Sequence, residues 1–330
     1  MTSAHVACVT PGRCGLYETT RELVAGLRAR GVDARLVDPT RAENKLHPSG
    51  AEDRGAPFAD LAWALAADVV VNHSGLGKEL EASSQPIVHV AHGRPRSSFL
   101  TEKSGATPIY SYHYHKNRDA RFKAIVTFWP EHVPYLQVMF PDKKVACAPA
   151  SVDLAAWTPD GPKGYGFHGK KGRINVVCAD PWRDDVDPFV VVNAFALWAR
   201  EMNGAKLHLY GAHPKEKGWA VLLKRVQDDG NLGEVCAWVD GLAHVYRAAS
   251  FALSSNLIAT RTMREAMACG CPVVPLAGPI LNGYRTDFAR ALDTDRASVR
   301  REAERRFDPA VTAQQFHDVL RAATADRRLP

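Results

Sequence analysis

Strand-length apolar runs alternate with segments of helical period along almost the whole chain, and this alternation constrains the fold more than any other feature of the sequence. In the first half, the runs at residues 5–9, 34–37, 68–72, 87–91, 124–128 and 144–148 predict strands. Periodicity predicts helices over 16–30, ended by Gly31, and over 57–66. A second series begins at Arg173, with INVVCA, KLHLYG, EVCAWV, SFALS and PVVPL as strands and helices expected over 188–202, 215–228 and 262–269. Consecutive βα units make parallel sheets covered by helices on both faces. Two series therefore imply an α/β chain of two doubly wound domains facing each other across a cleft, with ligands outside the carboxyl ends of the strands. Between the series lies TPDGPKGYGFHGKKG, whose Gly, Pro and Lys suit exposed, flexible backbone. The expected division is residues 1–157, a linker over 158–172, a second domain over 173–308 and a C-terminal helix over 309–330. Amphipathic segments over 296–306 and 309–324 close the chain.

Composition narrows the class. With 330 residues, 46% hydrophobic and 24% charged, the chain is long enough for two cores and unlike a disordered segment. A net charge of +6 permits an anionic partner without demanding one. Seven cysteines, several inside apolar runs such as HVACV and VVCAD, predict buried free thiols in a reducing compartment. Cys269 and Cys271 form C-x-C with no second pair, so no zinc site is expected. No signal peptide opens the sequence and no apolar run approaches the roughly 20 residues of a membrane span, so the expected location is cytoplasmic. Peripheral membrane contact stays open.

Two segments carry chemistry. TPGRCGLYETTREL follows the first strand and opens the first helix. Gly12 and Gly15 let backbone approach a ligand, and a helix N-terminus offers unpaired N–H groups to an anion. The segment is not G-x-G-x-x-G, and a tight βα turn would use the same glycines. The second segment is TMREAMACGCPVVP, a helix ended by Gly270 and followed by a strand. A carboxylate such as Glu265 in the first turn of that helix is stabilised by the macrodipole and can accept two hydrogen bonds from a ribose diol. A carboxylate at a helix start without function is the plainer alternative.

REAMACGCPVV resembles the signature of retaining nucleotide-sugar glycosyltransferases of the GT-B fold, family 4, a Glu on a helix followed by Ala-Met-Ala-x-Gly-x-Pro-Val-Val. Other segments fall in that family's order: CGLYETTRELVAGLRARGVDARLV, ADVVVNHSG, PIVHVAHG, APASVDLAAWTPDG, LHLYGAH, EVCAWVDGLAHVYRAASFALSS and REAERRFDPAVTAQQF. The resemblance implies two Rossmann-like domains, the first on the acceptor side and the second binding a nucleotide-diphosphate sugar as donor. It implies that Glu265 binds the ribose hydroxyls and that the Gly15 backbone faces the diphosphate and sugar. It also implies that His92, ending PIVHVAH, contacts the donor sugar as the catalytic residue. Gly211 of LHLYGAH and Thr262 fall with the nucleotide-sugar set. His73 and His89 have weaker claims, and strand alternation turns His89 into the sheet packing.

The chain also departs from the family. Its first motif Glu, eight positions before the second, is here Leu257 within SSNLIATRT. Asn256 or Thr260 could do that work, or the donor sugar lacks the hydroxyl pattern that Glu recognises. The family's Arg and Lys after the first strand of the second domain have one counterpart, Arg183 in DPWRDDVDP. Arg261, Arg264 or the cluster at 170–173 could add a second charge to neutralise a diphosphate. The resemblance implies transfer with retention and no cofactor or bound metal, with positive side chains and helix N-termini stabilising the leaving diphosphate.

In such enzymes the N-terminal domain binds the acceptor. Residues 93–123 hold seven cations (Arg94, Arg96, Lys103, Lys116, Arg118, Arg121, Lys123) against Glu102 and Asp119, interleaved with Phe99, Tyr110, Tyr112, Tyr114 and Phe122. Cations with aromatics suit a phosphate backbone and extruded bases. The expected acceptor is accordingly a hydroxylated base in viral DNA, met by Arg94, Arg96, Tyr112, His113, Lys116, Arg118 and Arg121. An anionic lipid surface fits the same cluster, as does a solvated face with an edge strand at YSYHYH. A lipid, glycan or small-molecule acceptor, a GT-B epimerase or phosphorylase, and a non-catalytic nucleotide-sugar or nucleic-acid binding module remain as alternatives. The last is favoured by Leu257 and the missing Lys.

Overall fold

The computed structural model describes residues 4–9, 15–38, 52–53, 56–73, 76, 78–92, 120–163, 167, 172–180, 188–211, 217–236, 239, 241–256, 259–276 and 283–324. In chain order, the first elements are β1 (His5–Val9), α1 (Gly15–Arg28), β2 (Asp33–Val37), β3 (Glu52–Asp53), β4 (Ala56–Pro57), α2 (Leu61–Ala66), β5 (Val69–Asn72) and α3 (Lys78–Ala82). They are followed by β6 (Ile87–Ala91), β7 (Phe122–Thr127), a 3₁₀ turn (Pro130–His132), α4 (Val133–Met139) and β8 (Lys144–Cys147). Then come β9 (Ile174–Cys178), α5 (Pro188–Ala199), β10 (Ala205–Tyr210), α6 (Lys217–Asp228), β11 (Leu232–Cys236), α7 (Leu242–Ala248), β12 (Phe251–Ser254), α8 (Arg261–Ala268) and β13 (Val273–Pro275). The chain closes with α9 (Tyr284–Asp293), α10 (Arg296–Phe307) and α11 (Pro309–Ala323). The chain divides into two compact units, Met1–Ser151 with Phe307–Pro330, and Val152–Arg306.

The first unit holds a six-stranded sheet in the order β2-β1-β5-β6-β7-β8, every pair parallel. Its central strands VVVN and IVHVA are nearly continuous apolar runs because both faces are covered. Helix α2 starts four residues beyond the expected Pro57, which lies in β4. Asp60 sets the start, its carboxylate accepting from the Trp63 N–H at 2.7 Å. The C-terminal helix α11 is not a separate appendage but part of this unit. Asp308 caps it and Pro309 opens it. Thr312 Oγ1 donates to the Pro149 carbonyl at 2.6 Å, and Phe316 packs against Phe128. Gly26 of α1 admits this packing, since a Cβ there would lie 2.8 Å from Ala313 Cβ.

The second unit is a five-stranded parallel sheet in the order β11-β10-β9-β12-β13. Alternation sends Val176 and Cys178 to one face and Val177 to the other. On the first face Trp198 of α5 meets Phe251 and Phe288 edge-on at 5.9 and 5.3 Å. On the second, Tyr246 of α7 packs with Ala266 of α8 and with Phe167. Phe167 corrects the expectation of an exposed linker over 158–172. It is buried at φ +80°, rare for a bulky residue, with its ring centroid 3.9 Å from that of His208. Earlier in the same stretch, Thr158 and Pro162 carbonyls accept from Arg247 and His244 of α7. Residues 164–166 and 168–171 lie outside the described residues.

His208 of β10 is fully buried and fully partnered: its Nδ1 accepts from the Glu234 N–H at 3.1 Å, so Nε2–H donates to Asn175 Oδ1 at 3.2 Å. Gly233 makes room for this ring, which a Cβ would approach within 2.4 Å. Two arginines of α10 fasten α7 and α8. Arg296 donates to the carbonyls of Tyr246, Ala249 and Cys269, and Arg300 to those of Leu154, Trp157 and Ala268. The Tyr246, Ala249, Ala268 and Cys269 carbonyls among these lie at the ends of α7 and α8, where the last carbonyls have no intrahelical donor.

Candidate functional site

The strand order of the second sheet reverses between β9 and β12, and at such a point the loops leaving neighbouring strands diverge and open a crevice at the carboxyl ends. Asp180, just beyond β9, lies there and is 2% exposed. Its Oδ2 accepts from Ser254 Oγ (2.7 Å), the Ser255 N–H (2.9 Å), Ser255 Oγ (3.4 Å) and Asn256 Nδ2 (3.3 Å). Its Oδ1 accepts from Thr262 Oγ1 at 3.0 Å. Because Thr262 spends its proton on Asp180, the 3.0 Å contact with Thr260 Oγ1 is donated by Thr260. One buried carboxylate thus ties the end of the first strand to the end of the fourth and to the first turn of α8. A carboxylate withdrawn from water needs donors on this scale. Sequence reasoning passed over Asp180, although a strand-end Asp with a Ser-Ser-Asn at the reversal-point strand was a usable signal.

Three residues expected to bind the nucleotide sugar lie at this end of the sheet. Thr262 is in the Asp180 network. Gly211 follows β10 at φ +84°, where a Cβ would lie 3.6 and 3.7 Å from the Ala179 and Asp180 carbonyl oxygens, so its backbone runs beside Asp180. Glu265 is 5% exposed on α8. Because α8 starts at Arg261, Glu265 stands in the second turn and not the first. The expected stabilisation by the helix end falls off beyond the first turn. Its fixed partner is Arg261, with Nε 2.6 Å from Oε1. Arg264 donates to the Ala259 carbonyl at 2.6 Å, just ahead of α8. Gly270 follows α8 at φ +70° as expected for a helix end. Arg183 and Leu257 lie outside the described residues.

In the first unit the order reverses between β1 and β5. Gly15 opens α1, the helix that follows β1. His73, after β5, and His92, after β6, lie at the carboxyl ends beside the reversal. His73 Nδ1 is 3.0 Å from His92 Nε2, with ring centroids 5.1 Å apart and 42° between planes. Phe128 meets His92 edge-on at 5.0 Å. His73 is 2% exposed, and burial pushes its imidazole down to about 3. His89 lies buried within β6, edge-on to Phe122 at 6.3 Å.

Arg121 does not belong with the expected acceptor residues. It precedes β7 at the amino ends of the strands, and its Nη1 donates to the Glu81 and Ser83 carbonyls at 2.6 and 2.5 Å, capping the end of α3. Arg94, Arg96, Tyr112, His113, Lys116 and Arg118 lie outside the described residues. Among the described residues no group of His, Cys, Asp or Glu could hold a metal ion, and no helix is long and apolar enough to cross a membrane. The described cysteines are free thiols, and burial pushes those of Cys269 and Cys271 up to about 12.

No protein-family model matches the chain, and no curated protein matches it in sequence. Solved structures do match along its length. The chain is similar to a sucrose-phosphate synthase from Thermosynechococcus elongatus at a TM-score of 0.70 and 14% identity, covering 98% of this chain and 100% of that one. It is similar to Anabaena HepE in complex with UDP and glucose at a TM-score of 0.66 and 12% identity, covering 96% and 98%. For the pneumococcal O-GlcNAc transferase GtfA in complex with UDP and GlcNAc, the values are 0.64 and 10%, covering 98% and 99%. These likenesses show the fold: the chain has the GT-B architecture of two Rossmann-like units.

Proposed function

We propose that the chain is a glycosyltransferase that moves a hexose from a nucleotide-diphosphate sugar to a hydroxyl acceptor. The observation that carries this reading is the approach of Thr262 and the Gly211 backbone to Asp180 at the carboxyl end of the second sheet, with Glu265 buried one turn along the same helix as Thr262. Structures of the same fold hold UDP with glucose and UDP with GlcNAc, which favours a uridine donor. In this reading Glu265, its direction fixed by Arg261, accepts the ribose hydroxyls. Asn256 and Thr260, held by the Asp180 network, do the work of the family's first motif Glu, whose sequence position is Leu257 here. Arg261 adds charge for the leaving diphosphate beside Arg183, a bidentate cation suited to that task. His92 meets the donor sugar.

With the diphosphate stabilised by side chains, the reaction proceeds without a metal. The acceptor hydroxyl attacks the face from which the diphosphate departs, and the anomeric configuration is retained. The acceptor class to test first is DNA with hydroxylated bases, on the strength of the cations and aromatics at 94–118. Calorimetry with UDP tests the donor side. Wild type binds, and Glu265→Ala binds about 10- to 100-fold more weakly, the worth of hydrogen bonds to a charged group. Equal affinity in both would remove Glu265 from the site.

A further inference from the structure

The second sheet ends at β13, and the outer edge of that strand lies on the floor of a groove. Among the described residues β13 pairs with β12 alone. The Ala252 N–H donates to the Pro272 carbonyl at 2.8 Å, and the Leu276 N–H to the Ser254 carbonyl at 2.7 Å. Alternate residues of a paired strand turn their backbone groups to the same neighbour. Pro272, Val274 and Leu276 therefore face β12, and Val273 and Pro275 face away from it. Neither the N–H and C=O of Val273 nor the C=O of Pro275 has a hydrogen-bond partner among the described residues. An unpaired strand edge is a template for another extended chain.

The groove along this edge has a volume of about 460 Å³. Ala291 of α9, Val299 of α10 and Met267 of α8 give it apolar walls. Its charged rim is spent on itself. Arg290 Nη1 lies 3.3 Å from Asp287 Oδ1, and Glu302 accepts from Arg305 at 2.7 and 3.0 Å. A charged ligand would have to break these pairs, whereas an uncharged one leaves them in place. Because α9 and α10 rise on either side, the edge is recessed, and the equally recessed edge of a second copy is a poor match for it. Pro272 and Pro275 carry no N–H, so the edge offers one donor and two acceptors, enough for a short guest.

We propose that this groove binds a short, uncharged, extended peptide segment, which adds to the second sheet beside β13 through the Val273 N–H, the Val273 carbonyl and the Pro275 carbonyl. Main-chain bonds to a sheet edge supply affinity in this mode of recognition, and side-chain pockets supply selectivity. The proposal is independent of the glycosyl-transfer reading.

The test is NMR titration of the ¹⁵N-labelled full chain with an end-blocked Thr-Val-Thr-Val-Thr peptide, against wild type and Val273→Pro. The substitution removes the outward N–H and keeps the groups that Val274 and Leu276 turn to β12, the side on which an edge strand accepts proline. Wild type should show saturable shifts at Val273, Val274 and Ala291 with a Kd below about 1 mM. Val273→Pro should bind about 2- to 10-fold more weakly, the worth of one hydrogen bond. The same peptide N-methylated at every amide donates none of its main-chain bonds and should bind wild type at least about 10-fold more weakly. If Val273→Pro does not fold, the N-methylated peptide decides the matter on wild type. No saturable shift at β13, or equal affinity for the plain and N-methylated peptides, overturns the proposal. So does a dimer of the free chain that Val273→Pro dissociates in sedimentation, which would give the groove to a second copy.

Discussion

Each unit places polar side chains at the carboxyl ends of its strands beside the reversal of strand order, and the two do it differently. In the second, Asp180 is saturated, with donors from Ser254, Ser255, Asn256 and Thr262 converging on one carboxylate. In the first, His73 and His92 share one hydrogen bond, and a buried ring nitrogen lacks a partner among the described residues. The same contrast separates two buried histidines: His208 uses both ring nitrogens within its own sheet, and His73 uses one. A saturated cluster fixes backbone and holds a ligand-binding surface in place before the ligand arrives. At His73 a buried ring nitrogen keeps an unmet polar demand among the described residues.

Substitution can break this contrast. The largest effect is expected from His92→Ala, which should lower kcat about 100- to 1,000-fold, the worth of one well-placed transition-state donor. Donor affinity should change little. Steady-state kinetics with binding by calorimetry checks both, and full activity would place His92 with the structural histidines. Asp180→Ala should cost about 3 kcal/mol in urea unfolding, because several buried donors lose their acceptor at once, and should weaken nucleotide binding by loosening the start of α8. Stability unchanged with binding lost would make Asp180 a ligand contact and not a framework residue. The smallest effect is expected from His208→Leu, about 1–3 kcal/mol of stability for the Asn175 and Glu234 groups it strands, with kcat unchanged once folded. A kcat effect as large as that of His92→Ala would erase the distinction between the two histidines.

The sequence carried the fold well because hydrophobic period is local. Both parallel sheets and the long helices α1, α5, α6, α10 and α11 lie within a few residues of their expected bounds. Helices α3, α4 and α7 are too short to display a period over several turns, and only structure reveals them. The amphipathic stripe of α11 shows that it packs but not on which unit, which needs Gly26 and Pro149 to be seen beside it. Phe167 was illegible for the opposite reason: a Gly- and Lys-rich neighbourhood reads as exposed chain, while a single aromatic side chain reaches the core. Glu265 was legible from its motif, yet its helix turn was not, since Thr260 and Thr262 both look like helix starts. Asp180 draws its donors from positions more than 70 residues away in the chain, a distance that no local pattern spans.

The central claim is that the second unit's carboxyl-end site holds a sugar nucleotide whose sugar is transferred. The direct measurement is mass spectrometry of products after incubation with a panel of UDP-, GDP- and other nucleotide sugars. Plain DNA, hydroxymethylated DNA and small-molecule acceptors should be present in parallel, with Glu265→Ala alongside. The account predicts release of nucleoside diphosphate from a UDP-hexose and a hexose mass added to one acceptor class, both lost in Glu265→Ala. Binding of a nucleotide sugar with no release and no product from any donor would contradict it, and would leave the chain a binding module on a glycosyltransferase fold.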